Sequence, residues 1–328
     1  MTGSTANFAS IARRVPVTHL HIFCVLRSLI AEGSLTLPDR PLRILDIGCG
    51  DGLLIDSLMQ LAAAGPDPLA IEVHGFDIGE QGYREDSQQA RTIAALAAMH
   101  SGIDWAARIR MLSGDEAWNY PPGHFDVAVS NQVLEHVHDL DAMLDNIAAA
   151  VRTDGASIHL FPLAQCIPEA HCLVPFAHWI RDFDARVSWI ALLSRIGIGR
   201  YRKDRKVLGH SDVHNHARKT AAYIQCWTHY RSFSEIARHC RGRGLALSWH
   251  FTKDFFATKL RRMAHLRPAR RYHRMDWFAL EWLSFITLRH LSSATLVIRP
   301  LAYDIGARIA AEKADRAART APDMRIAA

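Results

Sequence analysis

Short unbroken apolar runs alternate along the chain with longer stretches in which apolar residues recur every three or four positions. The unbroken runs fall at 43–47, 71–78, 110–112, 125–129 and 156–162. Such a run marks a strand covered on both faces, as the strands of a parallel sheet are. Residues 53–62, 87–99 and 140–151 stand between them with helical spacing. Strand and helix in strict alternation predict a parallel sheet with helices packed on both faces. Residues 17–32 precede the first strand as an amphipathic helix, with Leu20, Phe23, Cys24, Leu26 and Ile30 on its apolar side, until Pro38 and Pro41 break the chain. Glu135 and His136 are expected to open the helix after the fourth strand, and Thr153-Asp154-Gly155 to stop it with Gly155 in the left-handed region. The alternation lapses over 164–230. It resumes with a helix capped by Ser232 or Ser234 and ended by Gly242 and Gly244, then a sixth strand at 245–251 and a seventh at 294–299. The Arg-rich stretch 252–293 between those strands reads as helical.

The first apolar run ends in Asp46-Ile47-Gly48-Cys49-Gly50-Asp51-Gly52, an acid followed by three alternating glycines. Glycines between a strand and a helix N-terminus allow a tight turn and let a ligand meet the backbone with no Cβ in the way. The spacing is not the Gly-x-Gly-x-x-Gly of a dinucleotide site, and alone it would suit several kinds of nucleotide loop. The second strand ends in Asp77-Ile78, with Asp77 lying 25 residues after Gly52, where sheets of this type bind a ribose diol. A third landmark is Ser113-Gly114-Asp115-Glu116-Ala117 after a short strand. The fourth is Phe125-Asp126-Val127-Ala128-Val129-Ser130-Asn131-Gln132-Val133-Leu134-Glu135-His136. Asn131 and Gln132 stand just past its strand, where a crevice opens at the carboxyl ends of such sheets.

In this order and spacing the four landmarks resemble those of class I S-adenosylmethionine-dependent methyltransferases of the small-molecule type, and the fourth is similar to that of the ubiquinone-biosynthesis enzymes. The resemblance implies S-adenosyl-L-methionine as cofactor. Asp46, Gly48, Cys49 and Gly50 would cradle its methionine and ribose part, and Asp77 and Ile78 its ribose. Asp115 or Glu116 would take its adenine amine, with Asn131 and Gln132 lining the crevice. The implied fold is α/β: a Rossmann-like, seven-stranded, mostly parallel sheet with helices on both faces, an antiparallel last strand, and helical insertions after strands five and six. The chain then divides into an N-terminal helical segment (1–41), a cofactor-binding core (42–163) and a substrate-lid insertion (164–230). The remainder of the core (231–301) carries the insertion 252–293 and is followed by a charged tail (302–328).

Charge changes this picture more than composition does. The chain has 328 residues, 49% of them hydrophobic, which is enough for a substantial core. Its net charge of +6 conceals two unlike halves. Residues 1–163 hold 10 Arg, no Lys and 20 acids, for −10, whereas 164–328 hold 29 basic residues and 13 acids, for +16. A basic half facing the acceptor side points to an anionic partner, either a small molecule or a membrane surface. A nucleic-acid acceptor is disfavoured: Asn119-Tyr120-Pro121-Pro122 lies before the fourth strand, the wrong side for base-amine methylation, and no RNA-binding module is evident. The six cysteines contain no Cys-x-x-Cys pair, so neither a disulfide framework nor a zinc ribbon is expected, and a reducing cytoplasmic setting fits. The first residues do not read as a signal peptide, and no apolar run reaches the roughly 18–20 residues of a membrane span.

The candidate chemistry beyond the cofactor lies in Glu169-Ala170-His171-Cys172-Leu173-Val174-Pro175-Phe176-Ala177-His178-Trp179, just past strand five. His171 and His178 titrate near neutrality and are the candidate general bases; as packing residues of a lid they would be equally at home. His210, Asp212, His214 and His216 have a partial metal spacing but no further ligand in register, and read as a polar loop, so no metal site is expected. Residues 179–195 carry an apolar ridge (Trp179, Ile180, Phe183, Val187, Ile190) followed by the basic run 200–206. That ridge suits either a lid helix over the pocket or a helix lying in a membrane interface. The expected acceptor is a small molecule, anionic or lipid- or glycan-linked. Nothing in the pattern bears on oligomeric state.

Overall fold

The computed structural model describes residues 2–65, 67–78, 88–112, 117–208, 212–273 and 278–301. Two helices, α1 (Thr2–Arg14) and α2 (Val17–Ala31), lead into β1 (Leu42–Ile47), α3 (Leu53–Ala63), β2 (Ile71–Ile78), α4 (Gln88–Met99) and β3 (Ile109–Leu112). Then come β4 (Phe125–Asn131), α5 (Leu140–Ala150) and β5 (Val151–Phe161). The insertion holds a 3-10 turn (Ala177–Trp179), α6 (Phe183–Arg195), α7 (Tyr201–Leu208) and α8 (Val213–Trp227). The chain returns through α9 (Phe233–Gly242), β6 (Leu245–Ser248), α10 (Thr252–Met263), α11 (Phe278–Leu288) and β7 (Ala294–Pro300).

The strands form one sheet in the order β3-β2-β1-β4-β5-β7-β6. Strands β1 to β5 are parallel, and β7 runs antiparallel to both its neighbours, β5 and β6. The expected seven-stranded sheet with its reversed last strand is therefore present. Strand order reverses at β1, so the connections leaving β1 and β4 diverge and open a crevice at their carboxyl ends.

The unbroken apolar strands supply both faces of the sheet. Leu42 and Ile44 of β1 pack into a core with Leu20, Phe23 and Leu26 of α2, Ile55 and Leu58 of α3, and Phe255 of α10. Leu45 and Ile47 point the other way, toward Leu144 and Ile147 of α5, Ile236 and Cys240 of α9, and Phe285 of α11. A third apolar cluster joins α6 to α8 through Val187, Ile190, Ala217, Ala221 and Ile224. The ridge on α6 thus faces α8. The Arg186 guanidinium fastens the pair by donating to the carbonyls of Ile180 and Ala221.

Several boundaries differ from the sequence expectation. Asp182 accepts from the Ala185 N–H, so α6 starts at Phe183 and leaves Trp179 in the 3-10 turn. Gly155 does not end a helix. It lies inside β5, where a Cβ would come within 2.5 Å of the Asp126 carbonyl oxygen, and α5 has already closed at Val151. Strand β6 ends at Ser248 because Phe251 already caps α10. Glu135 and His136 lie in a turn, and α5 begins only at Leu140, once Asp139 accepts from the Ala142 N–H. Ser232 does cap α9, in a reciprocal box with Glu235. Asp212 caps α8 through the N–H groups of His214 and Asn215, which gives it a structural task; His214 is exposed and His216 buried beside Tyr201. His210 lies outside the described residues, as does the tail 302–328.

Among the described residues, His19, His21 and His159 are buried at the sheet core. His21 on α2 reaches the hydroxyls of Tyr272 (2.8 Å) and Thr295 (2.7 Å), tying the N-terminal segment to β7. Burial drives its pKa down to about 3, that of His159 to about 3 and that of His19 to about 4. All three stay neutral in the folded protein, whereas the unfolded chain takes up protons below pH 6.5. Their contribution is therefore whole above pH 6.5 and is lost as pH falls below it, by roughly 4 kcal/mol per pH unit for the three together. Burial acts the other way on the carboxyls of Glu135 and Asp46, which it raises, so these oppose the loss equally in wild type and variant. Urea unfolding between pH 6.5 and 4.5 should therefore give His159→Asn a slope lower than that of the wild type by about 1.4 kcal/mol per pH unit. An unchanged slope would contradict the buried-imidazole account.

Candidate active site

The crevice begins with the turn after β1. Gly48, Gly50 and Gly52 all have positive φ (+70°, +54° and +75°), and Gly52 opens α3 from the left-handed region. The N–H groups of Gly48 and Cys49 both donate to the Phe76 carbonyl at 2.9 Å, and Gly50 N–H donates to Asp77 Oδ2 at 2.6 Å. The loop is thus stitched to the end of β2. A Cβ on Gly48 would lie 2.6 Å from Val133 Cγ2, so the turn and the segment after β4 touch with no room for a side chain. Gly75 in β2 does the same for Cys49, whose Cβ would be 2.8 Å from one added there.

Asp77 also accepts from its neighbour's N–H, Ile78 N, at 2.7 Å, which fixes the carboxylate at the crevice edge. Asp46 stands beside it, fully buried. Burial first, and then the charge of Asp77, hold its carboxyl well above the usual range, and its Oδ2 meets no donor among the described residues. A buried oxygen in that state is a place for a donor, such as a ligand's ammonium or a water.

The crevice widens into a cleft of about 940 Å³. One wall is formed by Ile47, Gly48, Phe76, Asp77, Ile78, Ala117 and Trp118, with the Phe76 and Trp118 rings 4.6 Å apart. The opposite wall is Asn131, Gln132, Val133, His136 and the first turns of α5, closed by Cys226, Trp227 and His229 from the end of the insertion. Of the residues expected at the cofactor, Gly48, Asp77, Ile78, Asn131 and Gln132 line this one cleft. Asp46 stands at the end of β1, and Cys49 and Gly50 in the turn that follows it, next to the lining residues Ile47 and Gly48. Asp115 and Glu116 lie outside the described residues. Gln132 has φ +60° and donates from Nε2 to Ser293 Oγ (2.9 Å), and the Asn131 amide reaches Thr18 Oγ1 at 3.4 Å.

A polar cluster stands behind His136 at this wall. His136 Nδ1 lies 2.6 Å from the Trp227 carbonyl, and its Nε2 lies 3.2 Å from His171 Nε2. His171 Nδ1 is 2.8 Å from Glu169 Oε1, which also accepts from the Tyr230 hydroxyl at 2.6 Å. Glu169 Oε2 accepts from the backbone N–H groups of His171 (2.9 Å) and Cys172 (2.8 Å). Burial alone would raise Glu169, but His171, Tyr230 and the Cys172 N–H outweigh it and hold the carboxyl at about 2. Glu135 has the opposite fate. It is 1% exposed, neither oxygen meets a partner in another described residue, and burial lifts it to about 8. Burial also lowers His136.

His171 therefore joins the cluster, whereas His178 does not reach the cleft. Its Nε2 faces the Ala164 carbonyl at 3.2 Å, and its ring packs 4.5 Å from that of Tyr230, where it buttresses the residue that holds Glu169. Sequence reasoning missed Glu135, His136, Glu169 and Tyr230 as a unit. The pairs Glu135-His136 and Glu169-x-His171 were visible, but the third partner of each comes from a distant loop. The His229 N–H bonds the Glu135 carbonyl, and Arg231 bonds the carbonyls of Val137 and His138, which brings the loop after α8 onto the turn after β4.

Sheet order, reversed β7 and glycine cradle together define a Rossmann-like enzyme fold with its ligand site at the switch point. A family model for a methyltransferase domain matches residues 18–293, and the chain belongs to that family, the class I S-adenosylmethionine-dependent methyltransferases. Among curated relatives, the ubiquinone biosynthesis O-methyltransferase of Aeromonas salmonicida (strain A449) is 31% identical over 113 residues, 34% of this chain and 40% of that protein. The enzyme of the same name from Pseudomonas aeruginosa (strain LESB58) is 32% identical over 97 residues, 30% of this chain and 34% of that one. The chain thus spans well under half the length of these relatives. Similar solved structures include PKMT2 from Rickettsia typhi (TM-score 0.45, 14% identity, 85% of this chain and 53% of that one). Another is geranyl diphosphate C-methyltransferase from Streptomyces coelicolor A3(2) (TM-score 0.40, 11% identity, 83% and 77%). S-adenosylmethionine is the cofactor of this class. The cleft lined by Gly48, the donor-less Asp46 oxygen and the acid at Asp77 suit its amino acid and ribose.

Gly48→Ala should weaken S-adenosylmethionine binding at least tenfold, because its Cβ both strains a positive φ and strikes Val133. Asp77→Ala should abolish binding detectable by calorimetry, since it also frees the Gly50 turn. Wild-type affinity in Asp77→Ala would remove this carboxylate from the cofactor site.

Proposed function

We propose that this protein transfers a methyl group from S-adenosylmethionine to an oxygen of a small-molecule acceptor that is anionic or carried on a lipid or glycan. The observation that carries the reading is the Glu135–His136–His171 cluster at the far wall of the cofactor cleft. Methyl transfer to oxygen needs an acceptor hydroxyl that can lose its proton as it attacks, and two imidazoles beside a buried carboxyl are the groups suited to drawing it off. Relatives over the cofactor-binding half are named O-methyltransferases, which supports oxygen over nitrogen or carbon.

S-adenosylmethionine, when bound, supplies the methyl group as a sulfonium electrophile. The chain's own contribution is position. The Gly48–Gly50 turn, Asp46 and Asp77 hold the amino acid and ribose portions, and Phe76 and Trp118 offer a ring wall for the base. Asp115 or Glu116 is the assigned partner of its amine. Asn131, Gln132 and Val133 set the floor between cofactor and acceptor. The Trp227 carbonyl fixes the His136 tautomer and so presents Nε2 as the lone pair. Glu169 and Tyr230 do the same for His171. Trp227 and His229 close the cleft, which supports the insertion as a lid.

The acceptor's character rests on what surrounds that lid. Helix α11 leaves Phe278 (63%), Trp282 (49%) and Leu283 (53%) exposed, and its trailing loop brings Ser293 to Gln132 at the cleft. An exposed apolar face on a helix whose trailing loop reaches the cleft, within a half of the chain carrying +16, favours a ligand with a lipid part and an anionic head. No helix among the described residues is long and apolar enough to cross a membrane, so contact with a bilayer would be peripheral.

Incubation with label-bearing S-adenosylmethionine and fractionated cell extract should place label on an alkali-stable methyl ether in an organic-extractable fraction. His136→Ala and His171→Ala should each lower kcat on the order of 10²–10⁴-fold while cofactor binding by calorimetry is kept. Label recovered only on nitrogen, or full rates in both variants, would sink the oxygen-acceptor reading.

A further inference from the structure

We infer that the corner between α1 and α2, together with the C-terminal turn of α10, is a docking surface for an anionic phospholipid bilayer, with a small arginine-lined cavity that takes a lipid phosphate. The inference deepens the lipid-linked acceptor reading above, on which only its bearing on catalysis rests; docking itself needs no acceptor.

Charge is the first observation. Residues 1–31 hold three arginines, residues 255–273 hold five arginines and one lysine, and neither stretch contains an acid. The fold brings the two stretches together. Arg262 donates to the Ala12 and Val15 carbonyls at 2.6 and 2.8 Å, which closes the C-terminus of α1 against α10. Arg270 lies over the Phe8 ring, 5.3 Å from its centroid. A cavity of about 200 Å³ opens here, with Arg13, Arg261, Arg262 and His265 in its wall. Arg261 Nε donates to the Arg267 carbonyl at 3.1 Å, and no carboxylate of a described residue pairs with Arg13, Arg14, Arg261 or Arg267. The acids of these helices stand apart from the cavity. Asp254 opens α10, roughly 13 Å along the axis from Met263, and Glu32 closes α2.

Apolar exposure is the second observation. Leu260, Met263 and Leu266 are each more than half exposed, Met263 at 76%. The stop of α10 holds them there: His265 takes φ +54°, and the Leu266 N–H returns to the Arg261 carbonyl at 2.9 Å. Leu266 is thereby fixed at the rim of the cavity that it lines. Large apolar side chains set among unpaired arginines suit a membrane interface, where the apolar groups enter the acyl boundary and the guanidinium groups take phosphates in bidentate pairs. Nucleic acid would satisfy the arginines but leave Leu260, Met263 and Leu266 in water. The ridge of α6 faces α8 and is no part of this surface.

Position is the third. Thr18, at the start of α2, lies 3.4 Å from the Asn131 amide in the cleft wall. A bilayer held against the α1–α2 corner therefore lies beside the cleft, and an acceptor carried on a lipid could enter without leaving the membrane.

The full chain would be sedimented with vesicles of phosphatidylcholine alone and with vesicles of equal parts phosphatidylcholine and phosphatidylglycerol. Binding is expected to the second and not to the first, and should weaken as salt screens the surface. Arg13→Gln/Arg261→Gln should lower vesicle affinity about fivefold per arginine, and Met263→Asp/Leu266→Asp on the order of tenfold or more. Lys203→Gln/Arg205→Gln, in the basic run on α7, should leave it unchanged. Hydrogen exchange of the unaltered protein should slow at residues 8–16 and 260–267 when the anionic vesicles are added, a readout that needs no variant to fold. No pelleting with the anionic vesicles, equal pelleting with both compositions, no slowing of exchange at those residues, or an equal loss in the α7 pair would overturn the docking surface. Binding to single-stranded RNA that matches vesicle binding and survives Met263→Asp/Leu266→Asp would overturn it in favour of nucleic acid. A chain that docks yet methylates no oxygen acceptor would sink only the function proposed above.

Discussion

Everything at the cleft hangs on the short stitch between the turn after β1 and the end of β2. Three consecutive backbone N–H groups, from Gly48 to Gly50, are taken by the Phe76 carbonyl and the Asp77 carboxylate. Backbone donors left at the start of a helix usually seek an anion or a cap. Here the neighbouring strand supplies the acceptors, so the loop holds its shape without a ligand. That shape needs positive φ at Gly48 and no Cβ, because Val133 closes in from the segment after β4. One loop therefore sets the spacing between β1, β2 and β4, and with it the width of the cleft.

The second dependence is between the insertion and the turn after β4. The loop following α8 bonds the turn at Glu135–His138 through the Trp227 carbonyl, the His229 N–H and the Arg231 guanidinium. This is what gathers Glu135, His136, Glu169, His171 and Tyr230, residues from three separate loops, into one group. The cluster contains both a carboxyl kept ionised by donors and one lifted to about 8 by burial without them. Two carboxyls in such unlike environments, side by side at a cleft, mark a site where proton and charge are managed rather than a region of ordinary packing.

Much of the architecture was legible from pattern alone. Unbroken apolar runs reported the parallel strands because those strands are buried on both faces, and the bounds of β2 follow from its sequence. The alternation of strand and helix carried the layer arrangement, and the reversed β7 came with the family resemblance. Where reading failed, local rules had competitors. Gly155 has the look of a helix stop, yet the pairing of β5 with β4 claims it for a strand. The turn holding Glu135 and His136 delays α5 because Asp139, a better N-cap, comes later. In 179–195 the apolar ridge was visible, but its partner was not, and packing on α8 is a tertiary outcome.

The sequence by itself determined the strands, the glycine turn with Asp46 and Asp77, and hence the class of cofactor, because each depends on residues a few positions apart or on a repeating period. Tertiary structure alone decided the polar cluster around His136. His171 and His178 look alike in the sequence, both imidazoles in one short lid segment. Only the fold turns the first onto His136 and leaves the second against Tyr230, because that choice is made by the loop after α8, some fifty residues further along the chain. Contacts between distant loops have no period and no local signature, so this cluster could be found only once the chain had brought its members together.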